Sequence, residues 1–261
     1  MRKTIVKLAV LLFIVASCQT KNEKPSENQL LLATAWYQQS AEMRACYYQS
    51  YLMARLALAE NLKNYTGSKP TAVVLDIDET VLDNSPYEAH LVANGCPFTN
   101  NDWKLWTDRS EGLPLPGAAE FINFARQQGV DVFFISNRKI DERQSTLRNL
   151  EQAGMAVDSA HLLTREPSKS SCKDDRRNLV AANYEILLFV GDNLCDYSSL
   201  FEKRDQSLAL ALADSMQADF GTRCIILPNP MYGEWENAIY DYKYDATRSE
   251  KNQMILNRLR Q

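Results

Sequence analysis

Ala72-Val73-Val74-Leu75-Asp76-Ile77-Asp78-Glu79-Thr80 is the stretch on which the fold turns. An unbroken apolar run with two β-branched valines, entered through Gly67, Ser68 and Pro70, predicts a short strand buried on both faces. Such strands belong to parallel sheets covered by helices. Past the strand, Asp76 and Asp78 project to one side while Ile77 points away, because side chains alternate along extended chain.

The same grammar repeats downstream. Residues 118–128 read as a helix stopped by Gly129, 132–135 as a second buried strand and 143–153 as a helix. Residues 162–163 read as a short strand, 174–183 as a helix, 186–190 as a strand and 224–227 as a last strand. Helices alternating with short apolar runs predict an α/β three-layer core with a parallel sheet, whose site lies beyond the carboxyl ends of the strands. Polar groups follow three of those ends: Asp76 and Asp78, then Ser136-Asn137-Arg138, then Gly191-Asp192-Asn193. Upstream, residues 29–63 lack Gly and Pro and predict one long helix or two consecutive ones, with Trp36, Tyr37, Tyr47, Tyr48 and Tyr51 as a packing face. Residues 83–116 read as a loop-rich insertion carrying Trp103 and Trp106, a lid or substrate wall.

At the N-terminus, Arg2, Lys3 and Lys7 precede the apolar run 8–16, which closes on Val15-Ala16-Ser17-Cys18. This is the layout of a secretory signal peptide, too short to span a membrane, and its end resembles a bacterial lipobox that would lipidate Cys18. The expected organisation is a signal peptide over 1–17, a polar tether over 18–28 and a folded domain over 29–261. Within that domain the core occupies about 70–230, and a mainly helical accessory part comes from 29–66, 84–115 and 231–261. The expected location is the cell envelope, with Gln19 after the cysteine favouring the outer membrane. Cys46, Cys96, Cys172, Cys195 and Cys224 remain, an odd set without zinc-like spacing. A formal net charge of −4 over 261 residues gives no basic field for polymeric nucleic acid.

The paired aspartates suit phosphoryl transfer. One carboxylate attacks phosphorus and the second protonates the leaving oxygen, then accepts a proton from water; taken alone, the same string also serves as a helix cap or a simple metal site. Ser136 offers a hydroxyl to a phosphate oxygen or caps a following helix. Lys173 offers positive charge. Asp76 and Asp192 are expected to hold Mg2+, which favours oxygen ligands, with Asp196 orienting a ligated water or Lys173, or binding the metal directly. Gly191 is read as permitting a tight turn beside the metal.

These elements resemble the haloacid dehalogenase superfamily, and within it the class C bacterial lipoprotein acid phosphatases. The resemblance rests on Trp36 to Glu42, Val74 to Tyr87, Ser136-Asn137-Arg138, Val190 to Leu194 with Asp196, and Leu227-Pro228-Asn229 with Tyr232, Gly233 and Trp235. It implies Asp76 as nucleophile and Asp78 as acid/base, and it adds the Asp78 backbone carbonyl to the Mg2+ ligands. It implies Lys173 as the catalytic lysine, with Lys169 as the alternative, and 5′-nucleotides or nicotinamide mononucleotide as substrates. Trp103 and Tyr232 would flank the base, with Asn84, Tyr87, Asn137, Arg138 and Trp106 as further substrate contacts. It implies a C-terminal helix beside the N-terminal one and a homodimer. A phosphotransferase and a non-catalytic binding lipoprotein are the competing readings, and an intact Asp78 speaks against the binder.

Overall fold

The structure, a computed structural model, describes residues 26–260. The expected signal peptide and Cys18 lie outside the described residues. In chain order the elements are α1 (Ser26–Gln39), α2 (Ala41–Asn64), β1 (Thr71–Leu75), β2 (Leu82–Asp83), α3 (Ser85–Asn94), α4 (Asn100–Arg109) and β3 (Leu113–Pro114). They continue with α5 (Ala118–Gln127), β4 (Asp131–Lys139), α6 (Arg143–Gln152), β5 (Leu162–Arg165), α7 (Asp174–Asn183) and β6 (Glu185–Gly191). The chain closes with α8 (Gln206–Ser215), β7 (Cys224–Ile226), α9 (Glu234–Ile239) and α10 (Arg248–Arg258).

Five strands form one parallel sheet in the order β5-β4-β1-β6-β7. The expected α/β sandwich is present, and its strand pattern shows why. Val73 and Leu75 of β1, with Val132 and Phe134 of β4, enter a core shared with Tyr47, Tyr51 and Leu58 of α2 and Phe121 and Ile122 of α5. Ala72, Val74, Phe133 and Ile135 face the other way, onto Val180 of α7. Each of the larger aliphatic or aromatic side chains contributes about 1.5–3 kcal/mol when fully buried. Since β1 has β4 on one side and β6 on the other, the chain reverses its winding direction at β1, and the crevice opens beyond that strand's end.

Of the two N-terminal possibilities the chain takes two consecutive helices, parted at Ser40, whose side chain caps α2 by accepting from the Met43 amide at 3.0 Å. The sequence expectation is corrected elsewhere. Residues 26–28, assigned above to the tether, belong to α1. The insertion, read as loop-rich yet assigned to the mainly helical accessory part, is mostly helix: Pro86 opens α3, left-handed Gly95 ends it, and Thr99 caps α4. Short helices with little apolar periodicity hide among such polar residues. α8 was not foreseen at all, although Asp205 caps it by accepting from the Leu208 amide. The C-terminal helix α10 does pack against α1. All five cysteines among the described residues are free thiols.

Candidate active site

Beyond β1 the backbone stays in the sheet for one more bond, with the Asp76 amide donating to the Val190 carbonyl at 3.0 Å. It then coils tightly: the amides of Thr80, Val81 and Leu82 all donate to the Ile77 carbonyl. Glu79 takes a left-handed conformation at φ 52°, unfavourable for a residue with a side chain. Three contacts hold it there. The Tyr47 hydroxyl donates to the Glu79 carbonyl at 2.5 Å, the Tyr51 hydroxyl donates to the Thr80 carbonyl at 2.7 Å, and the Asn84 amide donates to Glu79 Oε1 at 2.7 Å. Part of the aromatic face of α2 is therefore more than packing, since two of its tyrosines clamp the turn that carries the aspartates. Tyr48 is exposed.

Asp76, Asp192 and Asp196 converge, with one carboxylate oxygen of each lying within 4.8 Å of the others. Lys173, the residue preceding α7 and almost wholly buried, donates to Asp76 Oδ1 and reaches Asp196 Oδ1 at 2.6 Å. Burial opposes the charge on Lys173, but Asp196 and Asp76 outweigh it and push the ammonium up to about 12. Burial pushes Asp76 above the ordinary carboxylate range, with Lys173 opposing. Asp192 is held well above that range by burial, then by Asp196 and Asp76. One ammonium against three crowded carboxylates leaves negative charge to be neutralised, and this all-oxygen set fits a hard divalent cation. Asp192 is oriented by Asn229, which donates at 2.8 Å.

Gly191 serves differently from the expectation. Its φ is not positive; a Cβ there would come 2.3 Å from Asp196 Oδ2, so glycine is needed for space rather than for a turn. Asp196 itself caps a short 3-10 turn, its Oδ2 accepting from the Asn193 amide at 3.1 Å.

Asp78 forms the second half of the site. Its Oδ1 accepts from Arg138 Nε at 2.9 Å and Nη2 at 2.8 Å and from Asn84 Nδ2 at 2.9 Å. Asn84 Oδ1 in turn accepts from Trp106 Nε1 at 2.8 Å. Arg138 is 2% exposed, so its guanidinium is spent on Asp78, Asn84 and Thr146. Arg138 and Asn84, expected as substrate contacts, both hold Asp78, and Arg138 also borders the cavity. Tyr87 is buried against Trp103, ring centroids 5.2 Å apart, and is not among the residues lining the cavity.

Ser136 lies inside β4, not at a helix start, which removes the capping alternative; its hydroxyl accepts from the Arg138 amide and sits 3.4 Å from Asp78 Oδ2. Asn137 accepts from Arg176 at 2.8 Å and lines the cavity. Lys169 pairs with Asp175 on the surface at 3.3 Å, so the lysine in the site is Lys173. A cavity of about 1230 Å³ contains Asp76, Asp78, Lys173, Asp192, Trp103 and Tyr232 in its walls. Tyr47, Tyr51, Glu79, Arg176 and Asn229 escaped the sequence reading as site residues; Glu79 and Asn229 sit within quoted motifs, while the tyrosines carry no local signal.

A winding reversal at β1, carboxylates at the tips of β1 and β6 and a buried lysine between them define a haloacid dehalogenase-type fold and site. Residues 9–235 match the family model described as HAD superfamily, subfamily IIIB (Acid phosphatase). The class C acid phosphatase from Bacillus anthracis is 39% identical and superimposes with a TM-score of 0.85, covering 90% of this chain and 98% of that one. Its tungstate-bound form is equally similar in structure, with a TM-score of 0.85 at 38% identity. The stem 31 kDa glycoprotein of Glycine max is 28% identical over 166 residues, 61% of this chain and 58% of that protein. The chain thus spans less than two thirds of the curated plant relatives it matches. It belongs to the acid phosphatase family of the haloacid dehalogenase superfamily, subfamily IIIB, a family of phosphoric monoester hydrolases.

Proposed function

We propose that this chain is a magnesium-dependent acid phosphatase that hydrolyses small phosphate monoesters of the 5′-nucleotide or nicotinamide mononucleotide class through a phosphoaspartate at Asp76. The observation that carries the reading is the convergence of Asp76, Lys173 and Asp192 in the wall of one cavity with Asp78 beside them.

Lys173 engages Asp76 Oδ1 and leaves Oδ2 to attack phosphorus. As the Asp76–phosphorus bond forms, the ester P–O bond breaks and Asp78 gives a proton to the departing alkoxide. Oδ1 of Asp78 is saturated by Arg138 and Asn84, so Oδ2 is the oxygen that carries the proton. In the second half, Asp78 takes a proton from water as that water attacks phosphorus, and the bond to Asp76 breaks to release inorganic phosphate. Magnesium held by Asp76, Asp192 and the Asp78 carbonyl, with Asp196 beside it, supplies positive charge for the phosphoryl oxygens. Lys173 adds to that charge from the protein side. Trp103 and Tyr232 in the same cavity support a flat base as part of the substrate. The tungstate found in the B. anthracis relative, an oxyanion of phosphate-like shape, agrees with an anion subsite.

The test is release of phosphate from p-nitrophenyl phosphate. Asp76→Asn abolishes it and exhaustive chelation suppresses it until magnesium is returned; near-wild-type turnover in either case removes the mechanism. Lipid attachment at Cys18 to the outer membrane, and dimerisation, stay part of the proposal. Among the described residues no helix is long and apolar enough to cross a membrane. A Cys18→Ala chain that fractionates with membranes as before argues against the anchor.

A further inference from the structure

Trp106 of α4, expected as a substrate contact, is not among the residues lining the cavity. Its indole nitrogen donates to Asn84 Oδ1 at 2.8 Å. Asn84 is buried and holds the position before α3 where an asparagine ordinarily caps a helix, yet its side chain makes no capping bond there. It turns inward instead. Its Nδ2 donates to Asp78 Oδ1 at 2.9 Å and to the Leu82 carbonyl at 3.4 Å, and its Oδ1 also accepts from Arg138 Nη2 at 3.3 Å. Trp103, one turn earlier on α4, has its ring centroid 5.8 Å from the Arg138 guanidinium carbon. Both residues that hold Asp78 therefore rest against α4. The helix is itself tied down at its far end: Thr107 Oγ1 donates to Glu142 Oε1 at 2.8 Å and Ser110 Oγ to the Ser145 carbonyl at 2.9 Å, both out of water.

An amide side chain has nearly the same shape either way round, and its partners decide which end faces where. An indole N–H can only donate, so Trp106 fixes the carbonyl end of Asn84 toward α4 and leaves the NH2 for Asp78. With the amide turned over, an oxygen would face the Asp78 carboxylate and repel it. We propose that Trp106 is a positioning residue: through Asn84 it keeps Oδ1 of Asp78 occupied and leaves Oδ2 for proton transfer, so that α4 aims the general acid. The inference rests on the reading of Asp78 as that acid. The proton passes from Asp78 Oδ2 to the ester oxygen as the bond from that oxygen to phosphorus breaks. An alkoxide needs the proton in order to leave. A nitrophenolate, its charge spread over the ring, departs with little help.

The test compares kcat/KM for n-butyl phosphate and p-nitrophenyl phosphate, which reports on the steps up to cleavage of the ester bond. General acids contribute about 10²–10⁴ in rate, and an acid present but misaimed loses part of that, so in Trp106→Phe the nitrophenyl-to-butyl ratio is expected to rise about tenfold. Asn84→Leu raises the ratio at least as far, and the double variant no further than Asn84→Leu alone, because both act through one contact. A loss of folded protein scales both esters alike and leaves the ratio unmoved. A Trp106→Phe ratio within about twofold of wild type, or ratio gains that multiply in the double variant, overturns the assignment. Asp78→Asn in the same assay separates the two failures. A raised ratio there with none in Trp106→Phe removes only the role of Trp106, whereas an unmoved ratio in Asp78→Asn removes the acid itself.

Discussion

Lys173 reaches Asp196 at 2.6 Å while its same ammonium holds Asp76, so a residue after β6 and a residue after β1 are tied through one buried cation. Asp196 thereby acts as the arm that aims Lys173, besides lying close enough to share a metal. Lys173→Met is expected to lower kcat by at least about a hundredfold, the usual loss when one preorganised electrostatic contact to a transferring group is removed. Asp196→Asn keeps the lysine and loses its guide, so a smaller fall is expected. Steady-state kinetics with nitrophenyl phosphate decide it; a Lys173→Met enzyme within threefold of wild type refutes the assignment.

Gly191→Ala tests the same arm from the other side. The new methyl meets the Asp196 carboxylate at 2.3 Å and must push it aside. Activity is expected to fall about as far as in Asp196→Asn, and the double variant to be no worse than either single one, because both act through one contact. Additive losses contradict this coupling.

Tyr51→Phe removes the donor to the Thr80 carbonyl and leaves a buried acceptor unmet. A loss of about 1–3 kcal/mol is expected, which for a chain of this size lowers Tm by several degrees. Because the contact braces the turn behind Asp76 and Asp78, kcat drops more than KM changes. Unaltered kcat would confine Tyr51 to packing.

Stability should also depend on pH through Glu88. Its carboxyl titrates near 7 when folded and near 4.5 when free, so between those values the folded chain binds more protons and stability falls as pH rises. Glu88→Gln lacks this loss. Relative to wild type the variant gains on the order of 3 kcal/mol between pH 4.5 and 7, with a plateau above. Urea melts at pH 4.5 and 7.5 measure the gap, and a constant difference across that range speaks against the buried, ionising carboxyl.

From the residues alone one can read the buried strand before Asp76, the alternation that builds a parallel sheet, and the carboxylates at Asp76, Asp78 and Asp192. These signals are local, because a strand buried on both faces must be apolar for its whole length and the polarity that follows it is abrupt. What only the tertiary structure decided concerns partners distant in sequence. Arg138 and Asn84 converge on Asp78, Gly191 makes room for Asp196, and Tyr47 and Tyr51 reach across about thirty residues to brace the aspartate turn. No composition or spacing encodes such pairings, since a side chain's role there is set by which atoms the packed core brings within hydrogen-bond reach and by how little water remains to compete.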